Sequence, residues 1–194
     1  MKIKKTFIDY TGHVSIGKLS LFINVSNVGS DHDIRSLSDQ AAMFGNVVII
    51  GTPYKQNDDL VKLIKQINKK NSNTTIQIHT NGVRVPTGLS TNKSIEYVVH
   101  LRLSKSKFPY EKRIIKKSMS WNKKMGSLFV FDVESDDDLD EATLLIQEFE
   151  LSKSNVYLSP SSYKKLDWVV KKAKISGFNI APKFGEWLWP REEL

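Results

Sequence analysis

Short apolar runs alternate along this chain with segments whose apolar residues recur every three or four positions. The runs are "LSLFINV" (19–25), "NVVIIG" (46–51), "TTIQIHT" (74–80), "EYVVHLRL" (96–103), "SLFVFDV" (127–133), "NVYLSP" (155–160) and "GFNIAP" (177–182). Each has the length and β-branched or aromatic content of a buried strand. In "DDLVKLIKQINKK" (58–70), Leu60, Leu63, Ile64 and Ile67 share one helical face. In 135–150, Ser135 and Asp138 predict a cap, early acids suit a helix N-terminus, and Leu139, Ala142, Leu145, Ile146 and Phe149 form the apolar face. A third helix is predicted over 162–177, stopped by Gly177. Strands alternating with helices predict an α/β fold built on a mainly parallel sheet: a barrel, a part-barrel or a doubly wound sheet. No internal repeat or linker interrupts residues 1–194, so a single domain is expected.

Composition narrows the chemistry more than the fold. The 194 residues contain no cysteine, which excludes disulfides, thiolate catalysis, cysteine-ligated zinc and an iron–sulfur cluster held by this chain's own thiolates. No stretch approaches the roughly 18 apolar residues of a membrane span. "MKIKKTFIDY" lacks the apolar core of a signal peptide. The expected location is therefore the cytoplasm, or a larger intracellular or viral assembly. The formal net charge of +8 is unevenly placed. Nine basic residues between Leu101 and Lys124 face Glu111 alone, whereas Asp132 to Glu150 holds nine acids and no base. Such a basic segment suits an acidic protein face or, less well for want of interleaved arginine and aromatic platforms, nucleic acid. Its candidate interaction residues are Lys105, Lys107, Lys112, Arg113, Lys116 and Lys117, to which the aromatic tail adds Trp187 and Trp189.

Reactive clusters are few. His13, His32, His79 and His100 lie on four separate segments without metal-ligand spacing, although His79 and His100 fall near the ends of predicted strands. Asp31, His32 and Asp33 are adjacent loop residues that point in different directions. "SPSSY" (159–163) reads as a strand-to-helix turn with capping hydroxyls. Thr80-Asn81-Gly82 is a tight turn after a strand.

The order of "IGKLSLFINV", "VVIIGTPYKQNDDLVKLI", "IQIHTNGVRVP", "LRLSKSKFPYEKRI", "FVFDVESDDDLDEATLLIQEFELSKSNVYLSP" and "GFNIAPKFGEWLW" resembles the radical S-adenosylmethionine enzymes, specifically the 7-carboxy-7-deazaguanine synthases of queuosine biosynthesis. The resemblance runs from about Ile3 to Trp189. It implies a reduced, partial TIM-type barrel of parallel strands with outer helices. It also implies a cluster loop over "FINVSNVGSDHDIRSL", where three family cysteines hold a 4Fe–4S cluster.

The departures are concentrated at the chemistry. The three thiolate positions are occupied by Val28, His32 and Arg35, and valine and arginine cannot ligate iron. Leu37 stands where the resemblance implies a magnesium-binding threonine. The family's Gly-Gly-Glu-Pro, which holds the cofactor's amino group, reads Ile50-Gly51-Thr52-Pro53. Its substrate-side Gln-Gly-Glu-Gly reads Tyr10-Thr11-Gly12-His13, its substrate arginine is Asn24, and its Pro-Lys is Leu101-Arg102. Thr80-Asn81-Gly82, which the resemblance sets beside the cofactor's ribose, is kept.

The resemblance therefore implies a pseudoenzyme without cofactor or radical chemistry, acting as a protein-binding or structural module. Two alternatives stand beside it: a subunit of a larger homo- or hetero-oligomeric complex such as a viral particle, and a non-catalytic binder of a purine- or pterin-like ligand.

Overall fold

The computed structural model describes residues 1–11, 17–89 and 94–183. Its centre is one sheet of nine strands: β1 (Lys2–Tyr10), β2 (Leu19–Val25), β3 (Ser30–Asp31), β4 (Asn46–Gly51), β5 (Thr75–Thr80), β6 (Ile95–Leu101), β7 (Leu128–Val133), β8 (Val156–Pro160) and β9 (Asn179–Ile180). The spatial order is β3-β1-β2-β4-β5-β6-β7-β8-β9. From β2 through β9 every neighbouring pair is parallel, while β1 runs antiparallel to both β2 and β3. Among the described residues the two ends of the sheet do not pair, so the barrel is partial and open.

Parallel neighbours that are also neighbours in sequence need crossovers of one hand, which stack their helices on one face of the sheet. Helices α1 (Ile34–Ala42), α2 (Asn57–Lys70), α5 (Asp136–Glu148) and α6 (Leu166–Ser176) make this layer, and α3 (Tyr110–Arg113) and α4 (Lys116–Lys124) link β6 to β7. Alternate strand residues point toward this layer. Ile23, Val25, Val47, Ile49, Ile76 and Ile78 pack with Leu37, Ala41, Leu60, Leu63, Ile64 and Ile67. Val99, Phe129, Phe131, Val133 and Leu158 pack with Leu139, Ala142, Ile146, Val169 and Ala173. The other face carries Gln77, His79, His100, Asp132 and Ser159, with Val98, Val130 and Ala181 as a small apolar cluster.

The predicted strands are all present, with β2 and β4 at their predicted bounds. Ser135 caps α5, its Oγ accepting from the Asp138 amide at 3.2 Å. Gly177 ends α6 in the left-handed conformation, φ 72°, that glycine adopts without strain. Ser162, by contrast, precedes a short 3₁₀ turn without making a side-chain cap bond. The two-residue β3, the helices α3 and α4, and two further elements, β1 and α1, are absent from the sequence reading. β1 buries only Ile3 and shows no clean alternation. α1 lies in what the sequence presents as loop, with Asp33 accepting from the Ser36 amide at 3.0 Å as its cap. No helix among the described residues is long and apolar enough to cross a membrane.

The basic and acidic segments meet inside the chain. Lys105 pairs with Glu134 at 3.1 Å and Asp138 at 3.2 Å, and Lys123 with Glu150 at 2.8 Å. Arg113, only 7% exposed, donates from Nη1 to Glu141 at 2.6 Å and to the Arg102 carbonyl at 2.9 Å, and from Nε to the Phe108 carbonyl at 3.1 Å. Glu141 also accepts from the Ser104 amide at 2.7 Å. One carboxylate thus ties the segment after β6 down onto α5.

Removing that carboxylate strands a buried guanidinium, so Glu141→Ala is expected to cost about 2 kcal/mol in urea denaturation. Lys123→Ala, which breaks an exposed pair, should leave the midpoint nearly unchanged. Equal effects from the two variants would show that Glu141 is not a structural tie.

Candidate functional site

The parallel strands β4 to β7 end together at one edge of the sheet, and there the chain leaves a crevice of about 730 Å³. Crevices outside the carboxyl ends of parallel strands are where α/β sheets bind ligands, and this volume suits a small molecule. Four strand ends supply its wall: Gly51, Thr52 and Pro53 after β4; Thr80, Asn81 and Arg84 after β5; Leu101, Arg102, Leu103 and Lys105 after β6; and Asp132 near the end of β7.

Local backbone demands fix several of these positions. Gly51 has φ 91°, and a Cβ there would overlap the Val25 carbonyl oxygen and crowd Asn24 Oδ1. The chain at this point therefore needs glycine whatever chemistry sits beside it. Thr52 turns back onto β2, its amide donating to the Val25 carbonyl at 2.8 Å and its hydroxyl to the same oxygen at 3.4 Å. In the turn after β5, Thr80 Oγ1 accepts from the Gly82 amide at 3.3 Å and Asn81 Oδ1 from the Val83 amide at 3.3 Å. The Thr-Asn-Gly segment thus uses its own side chains to hold its shape.

At the floor, His79 Nδ1 and His100 Nε2 are 3.0 Å apart and hydrogen-bonded. Burial pushes His100 down to about 4, with the Asp132 carboxylate opposing the shift and Lys183 adding to it. The imidazole is therefore neutral near pH 7. Burial also works against a charge on Asp132, but Lys183, 3.0 Å away, holds that carboxyl below its ordinary range, with smaller help from His100 and Ser159. Among the described residues no group of three histidine, cysteine or acidic side chains is placed to hold a metal ion. The sequence therefore brings His79 and His100 together as a hydrogen-bonded pair. His32 lies elsewhere, with its Nε2 3.1 Å from Ser30 Oγ.

The three positions that the resemblance assigns to cluster ligands do not reach the crevice. Val28 is 88% exposed in the turn after β2. The segment that follows is laid onto β1 as β3, with Lys2 opposite Asp31 and Ile3 opposite Ser30. The His32 amide donates to the Met1 carbonyl at 2.9 Å. Arg35 lies exposed in the first turn of α1, while Leu37 is a core residue at 2% exposure. A 4Fe–4S cluster does not fit these residues. Asn24 lies beneath Gly51 without lining the crevice.

Of the interaction candidates, Lys105 lines the crevice, Arg113 is buried in its pair with Glu141, and Lys107, Lys112, Lys116 and Lys117 are exposed, while Arg102, at the position of the family's Pro-Lys lysine, also lines the crevice. Trp187 and Trp189 lie outside the described residues, as does His13. Sequence reasoning missed Lys55 and Arg84, which also line the crevice. Their signal was positional, since each follows the end of a parallel strand by only a few residues.

No family model matches the chain, and no curated protein does. Solved structures do. QueE from Escherichia coli, a 7-carboxy-7-deazaguanine synthase, aligns at a TM-score of 0.67 with 13% identity, covering 93% of this chain and 92% of QueE. Streptococcus suis SuiB bound to its precursor peptide SuiA aligns at 0.57 with 14% identity, covering 81% of this chain and 44% of SuiB. These likenesses show the fold: a mostly parallel α/β sheet of the QueE radical S-adenosylmethionine type. The absence of cysteine removes the thiolates such chemistry needs.

The neutral His100 makes stability pH-dependent. Unfolded histidine binds its proton near pH 6.5, whereas folded His100 resists until about pH 4. Stability is therefore complete above about pH 6.5 and falls as pH drops from there to about 4. Urea midpoints measured across this window are expected to fall less steeply for His100→Gln than for the parent chain. Parallel curves would sink the assignment.

Proposed function

We propose that this chain is a pseudoenzyme of the QueE-type fold: it does not cleave S-adenosylmethionine, and its retained role is binding, centred on the crevice at the strand ends. The observation that carries the reading is the complete lack of cysteine, together with a would-be cluster segment folded into β3 and the start of α1. Losing thiolates from an otherwise intact loop leaves a damaged site, whereas here the segment between the first and last of these positions pairs with β1 at Ser30–Asp31 and then enters α1. The cofactor-side glutamate is replaced by Thr52, whose hydroxyl faces Val25. The crevice itself persists, with the Thr80-Asn81-Gly82 turn in place.

Binding a purine- or pterin-like small molecule is the use that this geometry favours, because the crevice has ligand dimensions and both polar and apolar walls. A second reading, a subunit within a larger assembly, is supported by Tyr10 and Leu19, paired across β1 and β2 and each 49% exposed, beside Ile8 at 58%. In that reading the exposed lysines of 107–117 would meet an acidic partner.

Anaerobic reconstitution with iron and sulfide, followed by incubation with S-adenosylmethionine and reductant, is expected to yield neither a 4Fe–4S chromophore nor 5′-deoxyadenosine. Formation of either overturns the pseudoenzyme reading. Light scattering on the purified chain addresses the assembly reading, for which a strict monomer at all concentrations, with no partner co-purifying, is the adverse result.

A further inference from the structure

The crevice has a charge pattern that its fold does not require. Lys55, Arg84, Arg102 and Lys105 line it, and among the described residues the one acid in its wall is Asp132. Two of these charges are already spent. Asp132 is bound by Lys183 at 3.0 Å, and Lys105 by Glu134 and Asp138. Lys55, Arg84 and Arg102 make no ion pair among the described residues. Arg102 stacks over Phe108, its Cζ 4.6 Å from the ring centroid, which fixes the guanidinium plane while leaving its N–H edges to donate. With both histidines at the floor and His100 neutral, three uncommitted cations face no uncommitted carboxylate among the described residues.

The rest of the wall is of a different kind. Ile50, Pro53, Leu101 and Leu103 give an apolar side. Ser106, on the same wall, has a buried hydroxyl without a hydrogen-bond partner among the described residues, a state that buried polar atoms seldom keep unless something else meets them. An apolar side beside a cationic rim calls for a ligand with a flat, weakly polar body and a multiply charged anionic end.

We propose that the crevice binds a nucleotide, with the phosphates at Lys55, Arg84 and Arg102 and the base against Ile50, Pro53, Leu101 and Leu103. This rests on the crevice-binding reading above and gives it a ligand class. Three cations selectively favour a phosphate ester, with two or more negative charges, over S-adenosylmethionine, whose sulfonium is positive. Arginine and lysine meet phosphate oxygens through charge-assisted hydrogen bonds.

Calorimetric titration of the full chain at low salt with ADP, GDP, adenosine and S-adenosylmethionine tests this. At least one of the diphosphates is expected to bind about tenfold or more tightly than adenosine or S-adenosylmethionine, and to weaken as salt is raised. Arg102→Gln and Arg84→Gln should each weaken that nucleotide about tenfold while leaving adenosine unchanged, and circular dichroism of these exposed-site variants should match the parent. Adenosine or S-adenosylmethionine binding as tightly as the diphosphates overturns the nucleotide assignment and leaves the crevice reading intact. Failure of all four ligands at millimolar concentration overturns both. A single-stranded oligonucleotide binding more tightly than either diphosphate, through Lys112, Lys116 and Lys117 and unaffected by Arg102→Gln, also overturns the assignment.

Discussion

Everything in this molecule follows from the direction in which the chain is wound. Apart from the two-residue β3, which pairs with β1, the strands from β2 to β9 lie side by side in chain order and parallel, so each connection must return over the same face of the sheet. That rule puts helices α1, α2, α5 and α6 on one side and leaves the other side as a concave surface that cannot be covered in the same way. It also brings the carboxyl ends of the strands to one edge, where residues far apart in sequence become the wall of a single crevice. Lys55, Arg84 and Arg102 owe their proximity to winding and to nothing local.

The polar floor is the other half of that arrangement. A concave sheet face filled with leucine would close on itself. Here the His79–His100 hydrogen bond and the part-exposed Asp132–Lys183 ion pair, whose charges balance, hold it open. Charge is balanced on a larger scale too. The basic stretch after β6 and the acidic stretch of α5, which look in sequence like two halves of an intermolecular contact, are partly spent on each other through Lys105, Arg113 and Lys123. Arg113 is a structural residue, held by three acceptors in a nearly closed site.

Much of this was legible in the sequence, for identifiable reasons. Strands such as "NVVIIG" are buried on both faces and read as apolar runs, and α2 shows its stripe of Leu60, Leu63, Ile64 and Ile67. β1 was not legible because an edge strand buries almost nothing, so "KIKKTFIDY" carries no period. α1 was hidden because its nine residues mix serine, aspartate and glutamine with only Leu37 and Ala41 as apolar buried positions. For the site, sequence motifs identified what the chain lacks, since thiolates are unmistakable. The cations that line the crevice were harder to find. Nothing local separates Lys55 and Arg84 from the rest of 29 lysines and arginines until the sheet order is known.

The sheet's outer margin carries one more consequence. β3 covers β1 only at Lys2 and Ile3, so among the described residues the backbone of β1 from Lys4 to Tyr10 has no strand on its outer side. Its first half is guarded by Lys4 and Lys5 and by an irregular register between Ile3 and Lys5. Its second half, Thr6 to Tyr10, has no lysine, and Ile8 and Tyr10 are exposed there. In a concentrated solution this half-strand is the natural seed for unwanted stacking of one copy on another, and a lysine introduced at Ile8 is the remedy the fold itself suggests.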